Sequence, residues 1–528
     1  LNQNQIYPNY ERKRKGAEQG MVVNHLIKKQ TYFDSVTLML TGTQIKKLDG
    51  VDNAVVGMCT DYNIDSLKRL DMYLPEFEEL TPNDLIICVK ADNNENADAA
   101  IKEVEKLLSS KKKPGTTNSE LPPSSQEEAA SRLPDSNMVL ISVPGEYAAR
   151  EAEKALNSNK HVMLFSDNVS IDEELKLKTI AAEKGLLVMG PDCGTAIING
   201  VPLAFANSVR KGKIGLVAAS GTGLQEVSST IHRLGQGITQ AIGVGGRDLS
   251  EKIGGKMTIM AAKALAEDPE TRVIVLISKP PAETVLEKVF AELKNINKAI
   301  VVYFIGADPA IIESNGFVAA KNLEDAAIKA AELAGEDCLE SEFSDSLIDS
   351  LAADVKLSGS DLRALYSGGT LCDEAQRILQ PLLKEINSNT PVKGCNKMTD
   401  VYKSSGHCIL DLGDDNFTRG KAHPMIDPGY RTERIHQEVA DEKTGLIMFD
   451  VVLGYGSHMD MAGEMVASIE KARTGTGRSP VFAACICGTQ DDPQGYDKQK
   501  AKLEEAGIFV FPTNVAMVKF AARCLERN

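Results

Sequence analysis

Short apolar runs, each closed by small or polar residues and followed by a stretch with helical spacing, recur along most of the chain. From residue 135 the runs "NMVLISVP", "KHVMLFSD" and "LLVMGPD" alternate with "EYAAREAEKAL" and "EELKLKTIAAEKG". Continuous apolarity in the strands, with long helical stretches between them, predicts a parallel sheet covered on both faces. The rhythm repeats between about Lys211 and Glu336 as "KIGLVAAS", "ITQAIGVGG", "RVIVLISK" and "AIVVYFIG". It returns from about Asp361 to the end. There "AASGTGLQEV" is echoed by "YSGGTLCDEA", "LAEDPETRVIVLISKPP" by "EVADEKTGLIMFDVVLG", and "AIVVYFIGAD" by "PVFAACICGTQ". Echoes in one order, at matching points of the strand–helix alternation, predict a tandem duplication.

The beginning reads differently. Strands expected at "DSVTLML", "NAVVGMC" and "NDLIICVKA", with helices at "TGTQIKKL", "IDSLKRL" and "NADAAIKEVEKLL", give a βαββα-like order and a small α+β sandwich over 21–108. Residues 109–134, rich in Ser, Pro, Lys and Glu, read as a flexible linker, and 337–360 as an acidic, serine-rich connector. The polar, basic residues 1–20 read as a tail before Met21, a plausible true start.

Composition narrows the function classes. A net charge of −15 over 528 residues argues against nucleic acid or an anionic membrane as the main partner. No apolar run is long enough for a membrane helix and no signal peptide is evident, so a cytoplasmic protein is expected. The ten cysteines lie mostly inside apolar runs, which fits reduced core thiols. Cys485 and Cys487 share one strand face, but no second Cys/His pair stands at zinc spacing, and no metal is expected.

Ligands of open α/β sheets sit beyond the carboxyl ends of the strands. There Ser220, Gly221, Thr222 and Gly223 can turn backbone N–H groups and hydroxyls toward an anion at a helix mouth. Ser367, Gly368, Gly369 and Thr370 offer the same set. The alternative is a tight turn whose serine only caps its helix. Other strand ends differ between the copies. "GVGGRD" offers Arg247, whereas "KAHPMIDPGYRTER" gathers Lys421, His423, Asp427 and Arg431, and "DVVLGYGSHMD" presents Asp450 and His458. An imidazole, carboxylates and an arginine on neighbouring loops suit acid–base work on a phosphate-containing substrate. His423 and His458 are the candidates for proton transfer, Arg431 for a bidentate carboxylate clamp, and Asp427 for orienting a histidine.

Over roughly 135–336 the motifs "VPGEYAAREAEKAL", "MGPDCGTAII", "KGKIGLVAASGTGLQEV", "LGQGITQAIGVGGRD" and "EDPETRVIVLISK" resemble the α subunit of succinyl-CoA synthetase, in order. The resemblance implies that Ser220, Gly221 and Thr222 hold a phosphoryl group and that Asp192 and Cys193 lie by coenzyme A. Two departures stand out. The family's phosphohistidine motif has no counterpart in "ADPAIIESNGFVAAKNLEDAA", and the small α+β unit replaces the family's glycine-rich first turn. The whole layout, with "HPMIDP" and "GYGSH" in the last unit, resembles the FdrA family. The fold class implied is α/β: the small α+β domain, a truncated Rossmann-like CoA-binding-type domain over 135–210, and two tandem flavodoxin-like parallel-sheet domains of the succinyl-CoA synthetase type over 211–336 and 361–528. The activity implied is that of an oxamate carbamoyltransferase subunit in allantoin breakdown, exchanging oxalurate and phosphate for carbamoyl phosphate and oxamate. The expected partners are the other subunits of the complex and these small anions, in a homo- or hetero-oligomer. Coenzyme A is the one cofactor candidate. An ADP-forming acyl-CoA synthetase subunit and a non-catalytic scaffold stay as alternatives.

Overall fold

A computed structural model describes residues 21–31, 33, 35–46, 48–110, 123, 125–335, 344–418 and 422–527, which divide into two compact units. The expected tail, half of the expected linker and the start of the expected connector lie outside the described residues. Within the parts of the linker and connector that are described, short helices form at Gln126–Arg132 and Asp345–Ala353, each capped by a serine side chain.

The first unit is an antiparallel sheet of strands β1 (Val22–Lys28), β2 (Val51–Met58) and β3 (Leu85–Ala91) in the order β1-β3-β2. "DSVTLML", expected as a strand, is instead the beginning of helix Ser35–Ile45. The apolar side of that helix packs with Asn94–Ser110 over β3, and the tertiary contact overrides β-branched local preference. The expectation also passed over β1, whose apolar residues are interrupted by Asn24 and His25.

The second unit holds three sheets. A small parallel sheet has β4 (Met138–Ile141), β5 (His161–Leu164) and β6 (Val188–Met189) in that order. A seven-stranded sheet follows, made of β7 (Thr195–Ile198), β8 (Val201–Ala204), β9 (Lys211–Ala219), β10 (Ile238–Gly243), β11 (Val273–Ser278), β12 (Ala299–Phe304) and β13 (Val318–Ala319). Its order is β13-β12-β11-β9-β10-β7-β8. The last seven-stranded sheet comprises β14 (Asp361–Tyr366), β15 (Ile386–Ser388), β16 (Asn396–Lys397), β17 (His407–Asp411), β18 (Thr444–Val452), β19 (Val481–Cys487) and β20 (Phe509–Phe511). Its order is β16-β15-β17-β14-β18-β19-β20, and read backwards its first five strands match β13-β12-β11-β9-β10, while the edge strands β15 and β16 are parallel where β7 and β8 are antiparallel. The fold is α/β with two duplicated parallel-sheet layers. The hairpin β7–β8, absent from the sequence expectation, pairs antiparallel with β10 and extends the first large sheet.

One apolar core joins the two large sheets. It runs from Leu216, Leu224 and Ile231 through Ala326, Ala330 and Ala331 to Ala364, Leu371, Ala375 and Phe520. Alanine dominates helix Leu323–Ala334, where a small side chain lets the helices approach and favours the helix itself. The helices following the two "GT" turns, Gly221–Arg233 and Gly369–Leu379, lie in this core.

A polar network crosses the same core reciprocally. Glu226, from the first of these helices, accepts the Asn514 N–H at 2.9 Å, at the start of the chain's last helix. Glu374, from the second, accepts the Leu323 N–H at 2.8 Å, at the start of the first copy's last helix, and the Asn514 amide at 2.8 Å. Each copy thus caps a helix of the other. Burial pushes the Glu374 carboxyl up to about 8, with Glu226 adding to the shift against the hydrogen bonds it accepts. Between 4.5, the ordinary value, and about 8 the folded chain holds a proton there that the unfolded chain releases, so stability falls as pH rises through this window. Glu374→Gln is expected to flatten the fall of the melting temperature between pH 5.5 and 8 relative to wild type. Parallel curves for the two proteins would refute the assignment.

Candidate functional site

Strand β9 delivers Ser220 to the mouth of helix Gly221–Arg233, where its hydroxyl caps the Gly223 N–H at 3.0 Å. The N–H groups of Gly221 and Thr222 lie ahead of the first intrahelical bond and point out of the mouth. In the second copy β14 leads to Gly368 as the capping residue of helix Gly369–Leu379, so Gly221–Thr222 and Gly369–Thr370 are the equivalent pairs. The two mouths touch. Ser220 Oγ and Thr370 Oγ1 share a hydrogen bond at 2.5 Å, and a Cβ on Gly368 would stand 2.8 Å from the Thr222 methyl.

The loops that enter the two mouths differ. Ile277 of β11 pairs with Ala218, two residues before Ser220. The corresponding place on β18, beside Tyr366, is held by Asp450. Its carboxylate accepts the Ser367 N–H at 2.8 Å, the Ser367 hydroxyl at 2.9 Å and the Gly368 N–H at 2.8 Å. Arg431, fully buried, donates from Nη1 to Asp450 Oδ1 at 2.7 Å and to its carbonyl at 2.8 Å, while Nε and Nη2 have no protein partner. Two expectations are corrected here. Ser367 and Gly368 do not offer their donors to a phosphate, because an internal carboxylate holds them. Arg431 is no carboxylate clamp in the cleft, because solvent does not reach it and its charge is spent on Asp450.

A cluster that the sequence reading missed stands beside the mouths. Lys279, directly after β11, lies 3.4 Å from Asp373 Oδ2. A Cβ on Gly369 would stand 2.5 Å from Asp411 Oδ2 and 3.5 Å from Lys279 Nζ, so the end of β17 and the end of β11 meet over the second mouth. Burial pushes Asp411 up to about 7, with Asp373 adding to the shift and Lys279 opposing it. Burial alone would lower Lys279, yet Asp373 and Asp411 hold its ammonium above the ordinary lysine value. Asp192, after β6, is exposed to water on one side, but crowding by protein and then Asp167 raise its carboxyl. Lys279 and Asp411 are single residues at strand ends, without glycine or histidine beside them, and only the doubled sheet brings them together.

The histidines take restricted roles. His423 accepts the Met425 N–H on Nδ1 at 3.2 Å, which leaves the proton on Nε2, and its ring lies 5.4 Å from that of Phe205. Burial, and then Arg431, push its pKa down to about 4, so at neutral pH it is an uncharged hydrogen-bond donor. As the acid of a proton transfer at neutral pH it is therefore corrected. His458 accepts the Asp460 N–H on Nδ1 at 3.1 Å and is half-buried on the neighbouring glycine loop. Asp427 accepts the Gly429 N–H at 2.9 Å and caps a helix rather than orienting a histidine. Arg247 is engaged by Glu174 at 2.8 Å and the Val169 carbonyl at 2.8 Å. Lys421 lies outside the described residues.

Comparison with known proteins places this geometry. The chain is 42% identical over 496 residues, 93% of its length and 96% of the other's, to the uncharacterized protein YahF of Escherichia coli K12. The chain belongs to the YahF family. Three sequence models cover parts of it: "AllF, heavy metal-associated domain" over 21–123, "CoA binding domain" over 209–306 and "CoA-ligase" over 365–524. It is 27% identical over 182 residues to succinate–CoA ligase [ADP-forming] subunit alpha 2 of Archaeoglobus fulgidus, covering 34% of this chain and 61% of that one. It is 24% identical over 180 residues to the ADP-forming sulfoacetate–CoA ligase subunit SauD of Bilophila wadsworthia, covering 32% and 59%. The YahF family member described here is thus an acyl-CoA synthetase-like protein.

Neither implied cofactor finds a fitting donor set. Among the described residues no three His, Cys, Asp or Glu side chains gather as a metal requires. Cys88 of the first unit is buried, its thiol pushed up to about 12 and directed at the Met72 carbonyl. For coenzyme A, the glycine at the mouth of helix Gly145–Asn157 packs on the Asp167–Asn168 backbone, and helix Ile171–Lys184 is closed by the Ser170–Glu173 capping box. Asp248 closes helix Lys256–Glu267 by accepting the Thr258 N–H at 2.9 Å. Cys193 is buried, directed at the Gly243 carbonyl and pushed up to about 12. The mouths of helices Ile171–Lys184 and Lys256–Glu267 are thus occupied by the chain's own carboxylates.

The buried pair at the second mouth gives a direct test of its role. Asp450→Asn leaves the Arg431 guanidinium enclosed without a counter-charge, a loss expected to cost about 3–5 kcal/mol. Urea unfolding should show a lower midpoint with an unchanged slope; an unchanged midpoint would remove the pair from the structural account.

Proposed function

We propose that the YahF-like chain is a subunit that makes and breaks acyl phosphates at the converging strand ends. The observation that carries the reading is the N–H pair of Gly221 and Thr222 at the mouth of helix Gly221–Arg233, where Thr222 packs against Gly368 and the next residue, Gly369, lies beneath Lys279. A phosphate at this mouth gains the partial positive charge of the helix and the Lys279 ammonium. Its oxygen attacks the carbonyl of a small substrate, or leaves it in the reverse direction, and the developing negative charge stays beside fixed donors.

The finer form of the reading is carbamoyl transfer. A phosphate oxygen bonds to the ureido carbon of oxalurate, the carbon–nitrogen bond to the oxamate half breaks, and the departing nitrogen takes a proton. Carbamoyl phosphate and oxamate result. Asp411, held near neutrality, is the proton donor best placed by its chemistry. His423 contributes a neutral Nε2–H donor. The capping box that closes helix Ile171–Lys184, beside the small sheet, favours this form over one that uses coenzyme A.

The second reading is an acyl-CoA ligase subunit, favoured by the names of the relatives. It needs a phosphorylated histidine supplied by a partner, since none stands in the region after β12.

The test is phosphate-dependent oxalurate cleavage by the chain purified with its partner subunits. Gly221→Val, which fills the open mouth, should lower turnover by about 10²–10³-fold, as for loss of an oxyanion donor. No carbamoyl phosphate from the complete assembly would overturn the carbamoyl form. Coenzyme A binding by calorimetry, with acyl-CoA made from ATP, would then establish the second reading.

A further inference from the structure

The Lys279 cluster carries one more consequence, which rests on the phosphate reading above. The lysine serves two carboxylates at once: Asp373, 3.4 Å away on helix Gly369–Leu379, and Asp411 at the end of β17. Asp411 is buried, with Oδ1 accepting the Gly413 N–H at 2.9 Å and Oδ2 packed against Gly369. Around it stand Asp414, the Cys372 thiol and the neutral His423, whose Nε2 faces Gly413. Asp192 and Asp415 lie within electrostatic reach of the cleft from the other side. With both near carboxylates ionised, one half-exposed ammonium faces two buried negative charges. A further anion drawn to Lys279 competes with Asp411 for its charge.

We infer that an oxyanion enters this cleft together with one proton, and that the proton settles on Asp411. Asp411 is the group placed to take it. Asp373 keeps the ion pair with Lys279, Asp192 is exposed to water, and His423 is turned away from charge by Arg431 and by burial. The captured proton is then available at the carbonyl when the leaving group departs, so binding loads the acid that the reaction consumes. Burial of Asp411 leaves it close to neutrality in the empty cleft, so a modest change in local charge is enough to protonate it.

Titration calorimetry with sulfate, which does not itself titrate near neutrality, tests this on the full chain. At pH 7.5, heats measured in two buffers of different ionisation enthalpy should report uptake of about 0.5–0.8 proton per sulfate bound. Affinity should fall by up to about tenfold per pH unit above 7. Asp411→Asn should bind sulfate with no buffer dependence and a flat pH profile. Binding by wild type with identical heats in both buffers would overturn the inference and leave the phosphate reading standing. Absence of sulfate and phosphate binding by wild type would overturn the phosphate reading itself.

Discussion

Two helix mouths meet at the Ser220–Thr370 hydroxyl bond, and the rest of the second unit is arranged around that contact. Each mouth carries about half a positive charge, so bringing two together in a core is unfavourable unless negative charge is built in. Asp450, Asp411 and Asp373 supply it. The contact also dictates composition. Glycine stands at 368 because Thr222 fills the space where a side chain would go, and at 369 because Asp411 does. The acidic cluster, the glycines and the buried arginine are therefore answers to one electrostatic problem, and Lys279 is the cation that turns its surplus of carboxylates toward an anion.

The duplication also explains why the two copies are unequal. At one equivalent place β11 carries Ile277 and β18 carries Asp450, and that single exchange ties the loop entering the second mouth to a buried carboxylate. A symmetric pair would present two weak sites. The observed pair differs in the loop that enters each mouth: Ser220 caps its own helix in the first, and Asp450 holds Ser367 and Gly368 in the second. The Glu226 and Glu374 caps, by contrast, stayed reciprocal, because both copies need the other's last helix in register.

The fold was legible wherever burial made its own pattern. Continuous apolar runs such as "RVIVLISK" and "GLIMFDVV" announced central parallel strands, and the echoes between copies announced the second large sheet. The pattern failed where local and tertiary signals disagree. "DSVTLML" has β-branched residues yet is helical against β3, and β1 has Asn24 and His25 inside a strand. For the site, the glycine-rich turns gave away the mouths, since a special backbone needs special residues. Who fills a mouth was not legible. Ser220 and Asp248 cap helices while Asp450 holds the loop before one, and only the register of neighbouring strands tells these apart. Lys279 and Asp411 left no mark because their environment comes from residues about 130 positions apart in a chain of 528.

The tie between the two copies has a consequence for assembly. Two separate subunits meeting through such a contact would come apart on dilution, and their ratio in the cell would depend on matched synthesis. Joined in one polypeptide, the halves face each other at a fixed effective concentration and in fixed one-to-one proportion. Selection on one half then no longer has to preserve self-association of identical copies. A carboxylate can appear on one side alone, with no twin on the other to be spoiled by it.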